Sequence, residues 1–289
     1  MIPRGIISKY LNQASTLIGV VLPLLAVILA AVMTWEQLTT WRDIAILAMM
    51  YVLAGLGITV GFHRMLTHRS FEAHPAARCV LLALGSMAGL SGPIRWASIH
   101  IQHHAHSDEE GDPHTPLKGL FHAHMGWFLA GFEDDPRTYG SWLQNDPLVR
   151  FFERTFWYWT ALGFLIPYLL GGWTGMLWGG WVRVFLAHHM TFSVNSICHT
   201  FGQAPFETGD RSRNQWLVGL LAFGEGWHNN HHAFPRSALH GLCWWQIDLS
   251  AYLIVALERT GLAWNVHRVA PAAQEVRRVK PAPPHGRRL

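Results

Sequence analysis

Four long apolar stretches, a hydrophobic composition and basic residues concentrated in one set of loops predict an all-α integral membrane protein. Its four transmembrane helices would form two hairpins. Half of the 289 residues are hydrophobic, with 15 Trp and 15 Phe, and only 14% are charged, a balance outside that of ordinary soluble domains. The first stretch, "STLIGVVLPLLAVILAAVM" (15–33), lies in a run without charge between Lys9 and Glu36. It is long enough for a bilayer, which needs about 20 apolar residues, and Pro23 is tolerable there as a kink. The second, "IAILAMMYVLAGLGITVGF" (44–62), follows Asp43. The third (155–170) and fourth (176–199) are joined by the turn "GGWTG". Arg183, in the starting half of the fourth, is expected to snorkel to the interface. "VLLALGSMAGLSG" (80–92) is too short to span and reads as an interfacial or re-entrant helix.

Two hairpins place the N-terminus, residues 63–154 and residues 199–289 on one side. Nearly all Lys and Arg fall there, whereas the opposite loops hold only Arg42 and Arg183. The positive-inside rule makes that side cytoplasmic, as for a multi-pass protein of a bacterial inner membrane with both termini inside. Residues 1–270 read as one membrane unit. Residues 271–289, basic and rich in Pro and Ala, read as a disordered tail able to touch anionic lipid. No positive segment, short apolar core and Ala-x-Ala site open the chain, so no cleaved signal peptide is expected. Cys79, Cys198 and Cys243 are scattered and odd in number, against a disulfide framework or a Cys-based metal site. The basic tail accompanies no nucleic-acid motif, so nucleic acid is not an expected partner.

The 19 histidines carry the chemistry. "HIQHH" supplies His100, His103 and His104; "HNNHH" supplies His228, His231 and His232; "HRMLTH" supplies His63 and His68; "NSICH" supplies Asn195 and His199. Helix positions i, i+3 and i+4 share a face, so each triplet can aim three imidazoles at one point. His63 and His68 are five apart, which an unbroken α-helix would splay by about 140 degrees. Both reach one site only if the helix ends near His63. Nine histidines exceed the ligand needs of one ion, so two metal ions are the natural reading. Imidazole suits Fe, Zn, Cu and Ni alike. Glu225-Gly-Trp-His228 fits the Glu-x-x-His pattern of soluble di-iron bundles once, without a second copy. Asp108 and Asp112 could orient ligand imidazoles. His188 and His189 lie mid-helix outside any cluster spacing, and His74, His240, His267 and His285 read as ordinary polar residues. A pH-sensing or merely polar interface is the bland alternative for the grouped histidines.

Over residues 40–255 the chain resembles the membrane-bound Δ9-type, stearoyl-CoA desaturase-like fatty acid desaturases. The likeness rests on "GFHRMLTHRSF", "HIQHHAHSDEEGDPHTPLKGLFHAHMGW", "NSICHTFG" and "GEGWHNNHHAFPRSALHG". It implies two transmembrane hairpins capped by a helical cytosolic domain that holds a di-iron centre. The implied ligands are His63, His68, His100, His103, His104, His199, His228, His231 and His232, with Asn195 acting through a water. It also implies insertion of a cis double bond, at Δ9, into a saturated long-chain acyl group with consumption of O2 and two electrons. Trp96 and Thr191 match positions at the bend of a substrate tunnel, and Tyr51 and Gly55 match positions closing its far end. Relatives commonly carry a charged pair around the first triplet, as in D-H-R-x-H-H, where this chain reads Ser98-Ile99-His100-Ile101-Gln102, which leaves acyl-CoA, acyl-lipid and acyl-carrier-protein substrates open. No Rossmann-like Gly motif lies between strand and helix. Electrons are therefore expected from a separate ferredoxin-like or cytochrome-b5-like protein with its reductase. The other readings are a di-iron lipid or alkane hydroxylase and a non-enzymatic metal-binding receptor or transporter. The latter would place charged residues or broken helices at membrane depth.

Overall fold

A computed structural model of the chain describes residues 4–131 and 135–280, with side chains from Gly19 onward. The fold is mostly helical. Helix α1 spans Arg4–Trp35 and α2 spans Trp41–Leu56. The start of α2 is fixed by a reciprocal cap. The Asp43 N–H donates to Thr40 Oγ1 at 3.4 Å, and the Thr40 N–H donates to Asp43 Oδ2 at 2.9 Å.

Helix α2 does not end near His63. It continues as a π-helix over Gly57–Thr67, and the His68 N–H donates to the His63 carbonyl at 3.1 Å. A π-helix pairs residues five apart, so His63 and His68 come to one face with ring centroids 4.7 Å apart. The expected helix end is thus replaced by a wider turn that does the same job without breaking the backbone ladder.

Helices α3 (Pro75–Met87) and α4 (Pro93–His106) follow, each begun by a proline at a position whose N–H would go unpaired anyway. A Cβ on Gly57 would fall 2.1 Å from Gly85 N, so two glycines let α3 lie backbone to backbone on the π-turn. Around that contact Phe62, Leu82, Phe152 and Ile254 are fully buried. The only sheet among the described residues pairs Glu72–Ala73 antiparallel with Ala263–Trp264.

Two helical stretches, Trp41–Thr67 and Phe156–His199, are long and apolar enough to cross a membrane, while the apolar helices Gly19–Trp35 and Pro75–Met87 are shorter. The second stretch departs from helical geometry at Gly172 (φ 65, ψ −148), conformations open to glycine. There the chain folds back, so that Gly179 meets Pro167 and Gly180 meets Phe164.

Arg183 does not snorkel. Its side chain is wholly buried, donating to the carbonyls of Gly179 (3.1 Å), Met87 (2.7 Å) and Gly163 (3.1 Å). Its length carries the guanidinium to the carboxyl end of α3, where helical carbonyls lack intrahelical donors. Arg183→Met should lower the thermal midpoint, since three buried acceptors lose a donor at about 1–3 kcal/mol each. An unchanged melting curve would contradict this clamp.

The tail expected to be disordered is ordered in its first part. Pro271–Arg277 is helical, the Glu207 and Val279 N–H groups donate to the Arg277 and Pro205 carbonyls, and Arg277 Nη1 donates to the Ala233 carbonyl at 2.7 Å. Backbone pairing with residues 205–207 outweighs a polar composition here. Residues 281–289, including His285, lie outside the described residues.

Candidate metal centre

Four elements deliver the grouped histidines. The π-turn of α2 brings His63 and His68, and α4 brings His100, His103 and His104. His199 follows helix Arg183–Ser196, and the short helix His228–Ala233 brings His228, His231 and His232. They sort into two clusters. One ring nitrogen each from His63, His68, His100, His104 and His231 lie within 4.8 Å of one another, and so do those of His103, His199, His228 and His232. Each triplet is therefore split between the clusters: "HIQHH" gives two and one, "HNNHH" one and two.

Closest approaches are between Nε2 atoms. His231 Nε2 lies 3.2 Å from that of His63 and 2.9 Å from that of His104, and His199 and His228 meet at 2.9 Å. Carboxylates hold the opposite ring edges. His63 Nδ1 lies 2.6 Å from Glu225 Oε2, His103 Nδ1 3.0 Å from Asp112 Oδ1, His199 Nδ1 3.0 Å from Asp108 Oδ2, and His232 Nδ1 2.6 Å from Asp210 Oδ2. An ionised carboxylate only accepts, so in these four rings Nδ1 carries the proton and Nε2 the lone pair. The Nε2 atoms of His103 and His232 are buried and have no hydrogen-bond partner. Orphaned buried acceptors gathered at one point are what a cation would satisfy.

The electrostatics agree. Burial, reinforced by neighbouring histidines, holds the imidazoles of His68, His100, His103, His104, His228 and His231 well below their usual pKa. They stay neutral, the form that binds metal. Burial would raise the Glu225 carboxyl, but His63, His240 and Arg64 outweigh it and hold it well below the usual range. Glu225 thus orients His63. Arg64, fully buried, donates to Glu225 Oε1 at 3.2 Å and to Asp248 Oδ2 at 3.0 Å. Glu225→Gln should weaken metal binding at the five-histidine cluster about 10–100-fold. Metal titration of the purified variant at unchanged helicity checks this, and equal affinity would remove Glu225 from that role.

Asn195 sits with Thr191 and Val194 on the wall of an apolar cavity that His63, His100 and His228 also line. Trp96, Thr191, Tyr51 and Gly55 all line the same cavity, which holds about 640 Å³ of space including its mouth. Trp96 lines the cavity and stacks on His100 of the five-histidine cluster at 5.2 Å. Along α2 the lining residues Tyr51, Ala54, Gly55, Ile58, Thr59 and His63 form one helical face, so the cavity follows the helix for about three turns.

Three groups near the clusters were not legible in the sequence as site residues. Asp210 has no spacing relation to His232, and only the fold-back of residues 203–214 joins them. His240, read as an ordinary polar residue, lies with its ring 4.5 Å from His231, and burial pushes its pKa down to about 4. His114 lies 4.4 Å from His103, ring to ring. His189 pairs instead with His124 at 2.9 Å, away from both clusters. Within the first triplet, Gln102 donates to the Gly111 carbonyl at 3.0 Å and ties down the loop carrying Asp108 and Asp112.

The profile of the family described as Fatty acid desaturase matches residues 39–267. The chain belongs to the fatty acid desaturase family. It is 43% identical over 232 residues to the sn-1 stearoyl-lipid 9-desaturase of Anabaena variabilis, covering 78% of this chain and 85% of that protein. It is 39% identical over 280 residues to the hex-5-enoyl-[acyl-carrier protein] acetylenase of Moorena producens, covering 89% and 87%. It is 40% identical over 232 residues to the Delta-9 acyl-lipid desaturase 1 of Arabidopsis thaliana, covering 78% and 76%. For a member of the desaturase family the two buried clusters are compatible with a metal site, and the chain is an oxidoreductase of lipid desaturation.

Proposed function

We propose that this desaturase inserts a cis double bond, at Δ9, into a saturated long-chain acyl group at a di-iron centre held by the nine clustered histidines. The observation that carries the reading is the elongated apolar cavity, walled by Tyr51 and Gly55 along one helix and by His63, His100 and His228 at the metal clusters. The two relatives named as 9-desaturases favour the position. Both are named for lipid-borne acyl groups, and together with Ile99 and Ile101 in place of charge this favours a lipid-borne chain over acyl-CoA.

Iron in the two clusters would supply the O2 activation that breaking an unactivated C–H bond requires. The reaction takes two electrons and two protons from the acyl chain, two electrons from a separate donor protein and two protons from solvent, and turns one O2 into two waters. The protein supplies position. Trp96 and Thr191 bend the chain past the clusters, Tyr51 and Gly55 bound its methyl end, and the apolar wall excludes water. Asn195 acts on the four-histidine cluster through a water. Four membrane crossings in two hairpins, with the histidines on the cytoplasmic face, give lipid-borne chains access to this site.

Expression in a host lacking desaturases, with a ferredoxin and its reductase supplied, tests the reading by fatty-acid analysis. New cis-Δ9 chains are expected. Oxygenated chains would turn the reading to hydroxylation, and unmodified chains from protein carrying its metal would overturn it.

A further inference from the structure

The strap between Arg213 and Glu225 contains no charged residue, and its centre is the short helix Trp216–Leu221. Trp216, Leu217, Leu220 and Leu221 are between 40% and 63% exposed. These side chains do not sit at the histidine end of α2. The Tyr51 hydroxyl donates to the Leu221 carbonyl at 2.8 Å, and Phe223 packs on Tyr51 with ring centroids 5.4 Å apart. Tyr51 lies twelve residues before His63, roughly 18 Å along the axis at α-helical rise. That distance is about half the hydrocarbon thickness of a bilayer. At the same level α2 itself exposes Met49, Val52 and Leu53.

The backbone of the strap is suited to a place without water. The Gly219, Ala222, Gly224 and Glu225 N–H groups donate to the carbonyls of Gln215, Val218, Gly219 and Ala222. The Val218 N–H is capped by the Gln215 side chain, and the Phe223 carbonyl accepts from the Ser250 N–H. Irregular chain tolerates lipid only when its polar groups are paired in this way. At the edge of the strap Trp227 packs against Trp245 at 5.3 Å and donates from Nε1 to the Ile247 carbonyl at 2.8 Å. Next to it Trp244 is 94% exposed. Tryptophan in this setting favours the membrane–water boundary.

We propose that the strap Trp216–Phe223 is a re-entrant element seated in the bilayer, with lipid acyl chains as the partner of its exposed face and Trp244 and Trp245 at the headgroup boundary. The inference rests on the reading that Trp41–Thr67 spans the membrane. The continuity of its exposed face with that of α2, and the absence of charge across it, select hydrocarbon over a protein partner. The far wall of the substrate cavity is then shared between protein and lipid, and an acyl chain still attached to a membrane lipid approaches from the side.

Spin labels report the environment directly. In the full chain, with Cys79, Cys198 and Cys243 replaced by alanine, Val52→Cys, Leu217→Cys and Leu220→Cys are labelled one at a time in reconstituted bilayers. Collisions with O2 and with a water-soluble nickel chelate are then measured. All three labels are expected to meet O2 and to show loss of nickel collisions. Nickel contact at 217 and 220 with lipid contact at 52 would overturn the strap's placement and leave the span intact. Shielding of 217 and 220 from both probes would also overturn it, by revealing a protein partner or a second copy. Nickel contact at all three would overturn the spanning reading itself, and the strap's placement with it.

Discussion

His231→Ala should remove metal from the five-histidine cluster and abolish desaturation while the protein still inserts and keeps its helicity. His231 is the hinge of that cluster, its Nε2 meeting both His63 and His104 within 3.2 Å. The other four rings of the cluster are held by the π-turn, by α4 and by Glu225, so none of them moves into its place. Metal content should fall to roughly half, the four-histidine cluster being built from other residues. His228→Ala makes the reciprocal test at the second cluster. Elemental analysis against protein concentration is the measurement, and wild-type stoichiometry in the His231 variant would remove it from the ligand set.

Gly55→Trp should shift products to shorter chains, and the mechanical reason is Phe223. A Cβ at Gly55 would lie 2.0 Å from Phe223 Cε2, far inside contact distance. The ring has little room to retreat. Phe223 is buried and its backbone has φ 55, the left-handed region, while its carbonyl is held by the Ser250 N–H. Bulk added at 55 therefore turns into the cavity. Each methylene that no longer fits an apolar pocket costs about 1–3 kcal/mol, or about 10–200-fold in discrimination. Phe223→Ala alone should admit longer chains, and in the double variant it should restore part of the length lost to tryptophan. Identical chain-length profiles in all three proteins would dismiss this end-wall.

The contrast between the ligands and their supports shows which parts of the site the sequence discloses. The clustering of the histidines was legible because helical spacing puts i, i+3 and i+4 on one side, a local property. The splitting of each triplet between two clusters was not, because it depends on how α4 and the His228–Ala233 helix cross. Asp210 and His240 depend on the fold-back of residues 203–214 and of residues 235–248, which leave no periodic trace. His63 and His68 raised the right question, five residues apart on a supposed α-helix, but the answer lay in a change of helix type that propensity does not report. Arg183 was misplaced for a related reason. Its position near the start of an apolar run suggested water, whereas the partners that accept it are carbonyls of two other helices, Met87 and Gly163.

The shared helix makes α2 a ruler. Tyr51, Gly55 and His63 lie on one continuous ladder from α-helix into π-turn. Under the proposed reaction, the span between end-wall and metal is thus set by helical rise and not by loop conformation. Moving the stop by one turn changes that span by about 5.4 Å. Under that reading the rigid scale limits how much chain fits beyond the metal clusters, whichever headgroup holds the other end, while the Δ9 position is counted from the carboxyl end.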